Sequence, residues 1–570
     1  MPHSRDVRRV QHGAGRWKVE RHLIGNGPTA KYRYERFHAP RPRSALLTAA
    51  LCTSLAVGAL AQSSPRRPAA PPVAPVRPVV DTLFDTTIVD PYRWMESPGD
   101  SSFAVWMRGQ NDYARAVLEQ IPGRAQIVAR LRALYDTDVE VSDVQRYGGR
   151  YFYLKTEPGQ EVERLYTRVG LSGRERILVD PARLGTDTTT HMAIDYFYPS
   201  NDGRYVAVGL SPGGSEESVL HVFESATGRD IGERIDRAQF GTVSWRDDGR
   251  SFFYIRLQKL RPDAPPTDRY KRSLSYLHVL GADPESDTPV LGYEQSPAVV
   301  VGEDDIPVVI VSPASPYAVG VIAHGVAPEV TMYVVRTDEI AGPSTPWRKL
   351  ADTSDAVTYS DVHGDDIYLL THRDASRYKV LRTSLARPDL ANAAVVVPPS
   401  RAVVTRLFAA SDALYVQKLD GGIGRLERLP YDRTTPTPQP IALPFDGAIP
   451  AITTNPAEPG TLLRVESWTR SPRWLEYRPD TKQLRDTRIE PPSKVDYSDI
   501  VSTEVMVRSA DGTMIPLSII HRRGLALNGS NPTWLSAYGA YGFSEDPSYA
   551  APRLAWFERG GVRAIAHVRG

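Results

Sequence analysis

Between residues 141 and 492 the chain alternates short apolar or aromatic stretches with turns rich in Gly, Asp and Pro. Such stretches are typical of strands, and no long helical period interrupts them. One unit recurs, a turn followed by two strands, a second turn and a short strand. Its anchors are Gly149, Gly203, Gly249, Ser315, Gly364, Asp412 and Gly460, separated by 54, 46, 66, 49, 48 and 48 residues. Seven such units of about four strands predict a seven-bladed β-propeller, whereas two β-sandwiches would not explain the near-equal repeats.

Residues 81–140 have a helical pattern instead. Asp100 is a favourable N-cap residue, and helix-spaced positions follow it at Phe103, Trp106, Gln110, Tyr113 and Val117. After a break at Pro122-Gly123, a second amphipathic helix is predicted from the spacing of Ile127, Leu131 and Leu134.

The pattern changes again in residues 493–570. Two strands flank an Asp511-Gly512 turn, PTWLSAY is a third strand, a short helix ends near Gly560-Gly561, and VRAIAHV is a fourth strand. Antiparallel strands followed by a strand–helix–strand crossover predict the beginning of an α/β domain. Because so few residues cannot cover both faces of a parallel sheet, we expect this domain to be incomplete.

The first 61 residues have the layout of a leader. Arg41 and Arg43 precede an apolar region at 45–60, which ends in the small-residue pattern Ala59-Leu60-Ala61. This predicts a secretory signal peptide followed by an extended, Pro-rich linker at 62–80, and therefore a periplasmic or extracellular protein. The only cysteine, Cys52, falls in the leader, which excludes a disulfide framework.

Composition narrows the function further. A chain of 570 residues is too long to fold around a single hydrophobic core, so we expect two or more domains. Its net charge of +2 gives no indication of a nucleic-acid partner. The 12 histidines form no H-E-x-x-H pair and no phosphate-binding P-loop motif is present, so we expect no metal and no other cofactor. His221 and His278 occupy similar places in two repeats, which predicts a shared hydrogen-bonding role inside the propeller.

Two stretches carry a family resemblance. Asp90-Pro91-Tyr92-Arg93-Trp94-Met95-Glu96 resembles the N-terminal signature of prolyl oligopeptidases, and the stretch from Asp511 to Gly570 resembles the start of their catalytic domain. The resemblance implies short helices, a seven-bladed propeller and then an α/β-hydrolase domain. It also implies a monomeric serine peptidase that cleaves short peptides after proline, needs no cofactor or membrane, and uses its propeller to restrict access.

The family's catalytic residues are expected outside this sequence. In the family a serine on a G-x-S-x-G strand-to-helix elbow is followed by Asp and then His, and all three come after the position of Arg569-Gly570. We therefore expect this chain to be interrupted before the triad and inactive by itself. The match Gly209–Gly213, containing Ser211, is followed by another strand, so we interpret it as part of a propeller hairpin.

One catalytic group is expected within the chain. The resemblance places the family's oxyanion-hole tyrosine at Tyr538, where the phenol would donate to the developing negative charge and Gly539 would let the backbone turn. Tyr541 is the competing assignment, Ala540 stands where the family often has glycine, and a purely structural tyrosine packed on the sheet is the other alternative.

Two functions follow from these observations. The first is an exported serine oligopeptidase of the prolyl oligopeptidase type. The second is a non-catalytic propeller that binds a peptide or protein partner. What the gene encodes after Gly570 discriminates between them.

Overall fold

The computed structural model describes residues 70–97, 99–185, 191–431 and 437–569. The predicted leader, including its apolar region at 45–60 and Cys52, lies outside the described residues, as does the first part of the linker. Residues 70–78 of the linker have no regular secondary structure. The described chain divides into two compact units, one of residues 70–136 with 552–555, the other of the remaining residues.

The smaller unit is built from a hairpin and two helices. Its elements are β1 (Val79–Leu83), β2 (Thr86–Asp90), a 3₁₀ turn (Arg93–Glu96), α1 (Ser101–Glu119) and α2 (Arg124–Tyr135). The carboxylate of Asp100 accepts a hydrogen bond from the Ser102 N–H at 2.7 Å, so the predicted N-cap is present. Gly123, at φ +82°, makes the break before α2.

Seven sheets follow one another in the larger unit, each formed by consecutive antiparallel strands. The first three comprise β3 (Glu140–Tyr147), β4 (Arg150–Thr156), β5 (Arg164–Val169) and β6 (Arg176–Val179); β7 (Met192–Pro199), β8 (Tyr205–Pro212) and β9 (Val219–Glu224); and β10 (Ser244–Trp245), β11 (Ser251–Arg256), β12 (Leu274–Val279) and β13 (Thr288–Gly292). In the second sheet, bridges from β9 to Asp230 and Ile235 place residues 230–235 where the other sheets have a fourth strand.

The remaining four sheets have four strands each. They comprise β14 (Ile306–Val311), β15 (Tyr317–Ala323), β16 (Val330–Arg336) and β17 (Arg348–Ala351); β18 (Val357–His363), β19 (Asp366–Thr371), β20 (Lys379–Ser384) and β21 (Ala394–Val397); β22 (Val403–Ala409), β23 (Ala413–Asp420), β24 (Ile423–Pro430) and β25 (Gln439–Ile441); and β26 (Ala448–Thr453), β27 (Thr461–Glu466), β28 (Arg473–Arg478) and β29 (Gln483–Asp486). The mainly β fold with a seven-bladed propeller is therefore confirmed.

The first and last sheets meet through side chains. Val141, Val144, Tyr151 and Tyr153 of the first sheet share one buried apolar cluster with residues of the last sheet, including Trp474. Side chains of the last sheet also donate hydrogen bonds to carbonyl oxygens of β3: Thr453 to Val144 at 2.8 Å, Asn455 to Arg146 at 3.0 Å and Trp474 to Val141 at 3.2 Å. In the part of the chain that is described, neither of these sheets contains a strand from the other end of the propeller.

A last sheet follows the propeller in the same unit. It contains β30 (Ile500–Arg508), β31 (Met514–Arg522), β32 (Thr533–Ala537) and β33 (Val562–Ala566), in the order β30-β31-β33-β32. A short helix, α3 (Leu554–Phe557), lies between β32 and β33 along the chain. β32 and β33 are parallel while the other pairs are antiparallel, so the predicted crossover is present.

Candidate active site

The candidate site lies where the two parallel strands end. β32 and β33 pair from Thr533↔Val562 to Ala537↔Ala566, so their carboxyl ends meet at one edge of the sheet. Tyr538 follows β32 directly and His567 follows β33 directly. Ligands of α/β sheets bind outside the carboxyl ends of the strands, and Tyr538, which the family resemblance suggests as the oxyanion donor, lies at this edge.

Tyr538 presents a hydroxyl that could bind a ligand. The residue is 43% exposed, so its side chain is open to solvent. A phenol that packed only as a core aromatic would be buried. Tyr538 is therefore accessible to a carbonyl oxygen brought to this edge.

Gly539 holds the Tyr538 loop against the end of β33. A Cβ at this position would lie 2.4 Å from the carbonyl oxygen of Arg569 and 2.9 Å from Val568 Cγ2. Its φ of −144° is accessible to any residue, so the requirement for glycine is steric. The sequence predicted a turn-forming role, but the structure shows that close backbone approach is what excludes a side chain here.

Tyr541 occupies a different position in the same loop. It lies in a 3₁₀ turn (Ala540–Gly542), its φ is +57° and it is 54% exposed. A tyrosine in the left-handed region is uncommon, because its Cβ crowds the backbone there. Tyr541 therefore belongs to the turn, three residues away from the strand end that carries Tyr538.

A polar cluster behind this edge was not anticipated from the sequence. Ser518 on β31 accepts from the Trp468 indole N–H at 3.2 Å, and its hydroxyl lies 2.5 Å from Glu504 Oε1 on β30. His567 Nε2 is 2.8 Å from the same hydroxyl. Ser518 is fully buried and His567 is 8% exposed. Trp468 comes from the β27–β28 connection of the propeller, so the cluster connects the two parts of this unit.

The structure places Ser211 in a propeller sheet. It lies on β8, its Oγ donates to Asp195 Oδ1 at 3.1 Å, and the turn after it leads to β9. Gly209 pairs with Tyr196 across β7 and β8, and a Cβ there would lie 2.2 Å from the tyrosine ring. The first glycine of the G-x-S-x-G match thus makes room for an aromatic ring. The helix that a nucleophile elbow requires is replaced here by a turn and a strand.

His221 and His278 both bind an aspartate nine residues further along the chain. His221 Nδ1 is 3.1 Å from Asp230 and His278 Nδ1 is 2.9 Å from Asp287. Only His278 has a second carboxylate, Glu233, 3.0 Å from Nε2. Burial lowers the pKa of His221; at His278 burial acts in the same direction, but the two carboxylates outweigh it and raise the pKa to about 9.

Two further features of the described residues bear on function. They contain no group of three or more His, Cys, Asp or Glu side chains that could hold a metal ion. Across the same ranges, none of the helices has the length and apolar character needed to span a membrane.

This chain is similar to known proteins over most of its length. The family model described as prolyl oligopeptidase, N-terminal beta-propeller domain, matches residues 71–488. The prolyl endopeptidase of Elizabethkingia meningoseptica is 24% identical over 493 residues, covering 86% of this chain and 67% of the relative. The dual function macrocyclase-peptidase POPB of Amanita bisporigera is 22% identical over 513 residues, covering 85% and 68%.

Solved structures show the same similarity as the sequences. A prolyl endopeptidase studied for inter-domain dynamics in catalysis and specificity superposes with a TM-score of 0.77 at 27% identity, covering 88% of this chain and 72% of that one. Prolyl oligopeptidase B of Galerina marginata, bound to a 25mer macrocyclization substrate, has a TM-score of 0.75 at 19% identity with the same coverage and shares the fold.

Proposed function

This chain belongs to the prolyl oligopeptidase family, and from that premise we propose that it supplies the propeller and the oxyanion-hole tyrosine of a serine peptidase. The observation that carries the proposal is the position of Tyr538. Its exposed hydroxyl follows a parallel strand directly, and Gly539 fixes the loop against the neighbouring strand end. In this role the phenol donates a hydrogen bond to the oxyanion that forms when the peptide carbonyl is attacked.

The nucleophile, acid and base are not among the residues that carry this proposal. A lone oxyanion donor cannot replace a serine and its general base. Ser211, the serine of the one G-x-S-x-G match, is buried and bonded to Asp195 within the propeller. We therefore predict that the 570-residue chain by itself does not hydrolyse a proline-linked chromogenic peptide.

The substrate class is proposed from the relatives. Proteins similar to this chain are named prolyl endopeptidases, and one solved relative is bound to a peptide substrate. We propose short peptides cleaved after proline, with the propeller limiting the size of what enters. Chemistry of this kind uses no cofactor, and a monomer would suffice for it.

The test compares two tyrosine variants. The full-length product of the gene is assayed with a proline-linked chromogenic peptide. We expect Tyr538→Phe to lower kcat about 10²-fold to 10³-fold with little change in KM, the effect of removing one oxyanion donor. Tyr541→Phe is the matched control and should stay within about threefold of wild type.

Other results would exclude the proposal. Equal activity of Tyr538→Phe and wild type would show that Tyr538 is a structural aromatic. Turnover by the 570-residue chain that disappears in Ser211→Ala would place the nucleophile in the propeller. A full-length product that binds peptides without cleaving them would support the non-catalytic binding module.

We also propose export of the mature protein. The charged start, apolar region and Ala59-Leu60-Ala61 pattern support removal of the leader by signal peptidase. Cell fractionation with N-terminal sequencing should find a periplasmic or extracellular protein beginning at Gln62. A cytoplasmic protein that retains residues 1–61 would contradict this.

A further inference from the structure

The segment that follows β33 is fixed at three points. The His567 N–H donates to the Pro516 carbonyl oxygen at 2.9 Å, and the His567 ring bonds to Ser518. Arg569 forms an ion pair with Asp511 at 2.8 Å. The carbonyl of Arg569 lies against Gly539, the residue next to Tyr538. Movement of residues 567–569 would therefore move the surface on which the Tyr538 loop rests.

Hydrogen-bond counting assigns the proton positions in the cluster. The Ser518 hydroxyl, 2.5 Å from a Glu504 carboxylate oxygen, donates its one proton to that oxygen. Ser518 Oγ then accepts from the Trp468 indole and from His567 Nε2–H. His567 Nδ1 is buried and has no hydrogen-bond partner among the described residues. The imidazole is thus fixed through Nε2 alone.

The other side of the imidazole faces a propeller turn. Gly421 and Gly422 join β23 to β24 and have φ of +61° and +88°. A Cβ on Gly422 would lie 3.1 Å from His567 Cε1 and 3.3 Å from both ring nitrogens, whereas a Cβ on Gly421 would meet nothing within 4 Å. The propeller therefore approaches His567 directly at this turn and indirectly through Trp468, which bonds to the same Ser518 hydroxyl.

We propose that His567 is a positioning residue that transmits the position of the propeller to the oxyanion-hole loop. The path runs from Gly422 and Trp468 through the imidazole and Ser518 to residues 568–569, and from there to Gly539 and Tyr538. When the Gly421-Gly422 turn of the propeller packs against the imidazole, the segment after β33 supports the Tyr538 loop. When this turn moves away, the support is lost and Tyr538 is no longer held at the strand end.

The proposal predicts that a change in the propeller alters the loop. A nitroxide is attached at Ala540→Cys, the exposed first residue of the 3₁₀ turn, in a Cys52→Ser background that has no other cysteine. Electron paramagnetic resonance then measures the motion of the loop. We expect Gly422→Ala to shorten the rotational correlation time about twofold, because the new methyl group displaces the imidazole. Gly421→Ala also places a methyl group on backbone of positive φ, but without the contact, and should leave the spectrum unchanged.

Variants of His567 complete the test. His567→Ala should mobilise the label to a similar extent, and Gly422→Ala should add nothing in that background, because the contact no longer exists. His567→Gln, which keeps an amide N–H in place of Nε2–H, should restore most of the order. If His567→Ala does not fold, the pair of glycine variants decides alone.

Two outcomes would overturn the proposal. One is equal spectra for Gly421→Ala and Gly422→Ala, and the other is an effect of Gly422→Ala that persists without the imidazole. The inference gains its catalytic meaning from the proposed role of Tyr538, but the label reports loop motion without turnover. Failure of the coupling and failure of the oxyanion assignment are therefore measured separately.

Discussion

At the residue scale, His278 shows how a buried charge can be supported inside the propeller. Its ring is fully buried between Asp287 of its own sheet and Glu233 from the connection after β9. A cation between two carboxylates satisfies both ring N–H groups, so the protonated form is favoured in the folded state. Residues of the second and third sheets are joined by this arrangement.

His278→Gln should destabilise the propeller by about 3 kcal/mol near pH 6, because two buried carboxylates lose their cation. The folded-state pKa of about 9 lies above the unfolded value, so this stabilisation is complete below about pH 6.5 and is lost as pH rises through 9. Urea unfolding at pH 6, 7.5 and 9.5, followed by tryptophan fluorescence, should show the difference between wild type and variant shrinking.

For His221→Gln we expect the opposite dependence of the stability difference on pH. The pKa of His221 is lowered by burial, so its contribution is present above the unfolded pKa and is lost as pH falls. The difference between wild type and this variant should not shrink between pH 7.5 and 9.5. A parallel decline in both variants would show that the effect of pH does not come from His278.

Some of the residues at the candidate site could be predicted from the sequence and others could not. Tyr538 could be singled out because a resemblance of the surrounding loop carried the assignment, and the structure places it at a strand end. His567 could not, because its importance depends on Ser518, Trp468 and Gly422, which are far away in sequence. The similarity of His221 and His278 was visible, but the second carboxylate, Glu233, distinguishes them and comes from another sheet.

At the element scale, the repeat pattern predicted the number of sheets but not which strand begins each sheet. Every anchor lies in the turn between the first and second strands of a sheet, so each sheet begins one strand before the repeat unit. The first strand of each sheet has only a weak pattern in the sequence, and β10 has only two residues. Strong aromatic patterns occur in the second strands, which are buried on both faces, as in β11 and β15.

The pairing of β7 with β8 depends on a glycine facing an aromatic ring. Gly209→Ala should destabilise the propeller by about 3 kcal/mol, because the methyl group would occupy the space of the Tyr196 ring, whose hydroxyl donates to Ala238. Thermal unfolding followed by circular dichroism measures this loss.

Gly213→Ala is the control for backbone strain. Its φ is +60° and nothing lies within 4 Å of the added Cβ, so it should cost only about 1 kcal/mol. If the two variants were equally stable, the glycine of the G-x-S-x-G match would not owe its presence to Tyr196.

At the scale of the whole molecule, the order of helices, propeller and α/β sheet was predictable from the chain, since each segment has its own hydrophobic period. Closure of the ring was not, because it depends on polar side chains that have no periodic signal. Arg146 of β3 forms ion pairs with Glu458 at 2.6 Å and with Glu476 at 3.0 Å, both from the last sheet.

Arg146→Leu should open this junction selectively. The buried carboxylate of Glu476 and the more exposed one of Glu458 would lose their cation, and we expect amide hydrogen exchange in β3 and β26 to accelerate about tenfold. Arg428→Leu is the matched control, since Arg428 is equally buried but pairs with Asp412 inside the sixth sheet. Equal exchange in the two variants would mean that the ion pairs do not hold the ring closed.

The side-chain closure of the propeller has a consequence during biosynthesis. Val141 at one side of the junction bonds to Glu490 at the other, 349 residues later in the chain. At about 5 to 20 residues per second, the ribosome needs roughly 20 to 70 s to make the intervening polypeptide. For that time the apolar face of the first blade waits in the nascent chain without its partner, so chaperones have a defined interval and a defined surface on which to act.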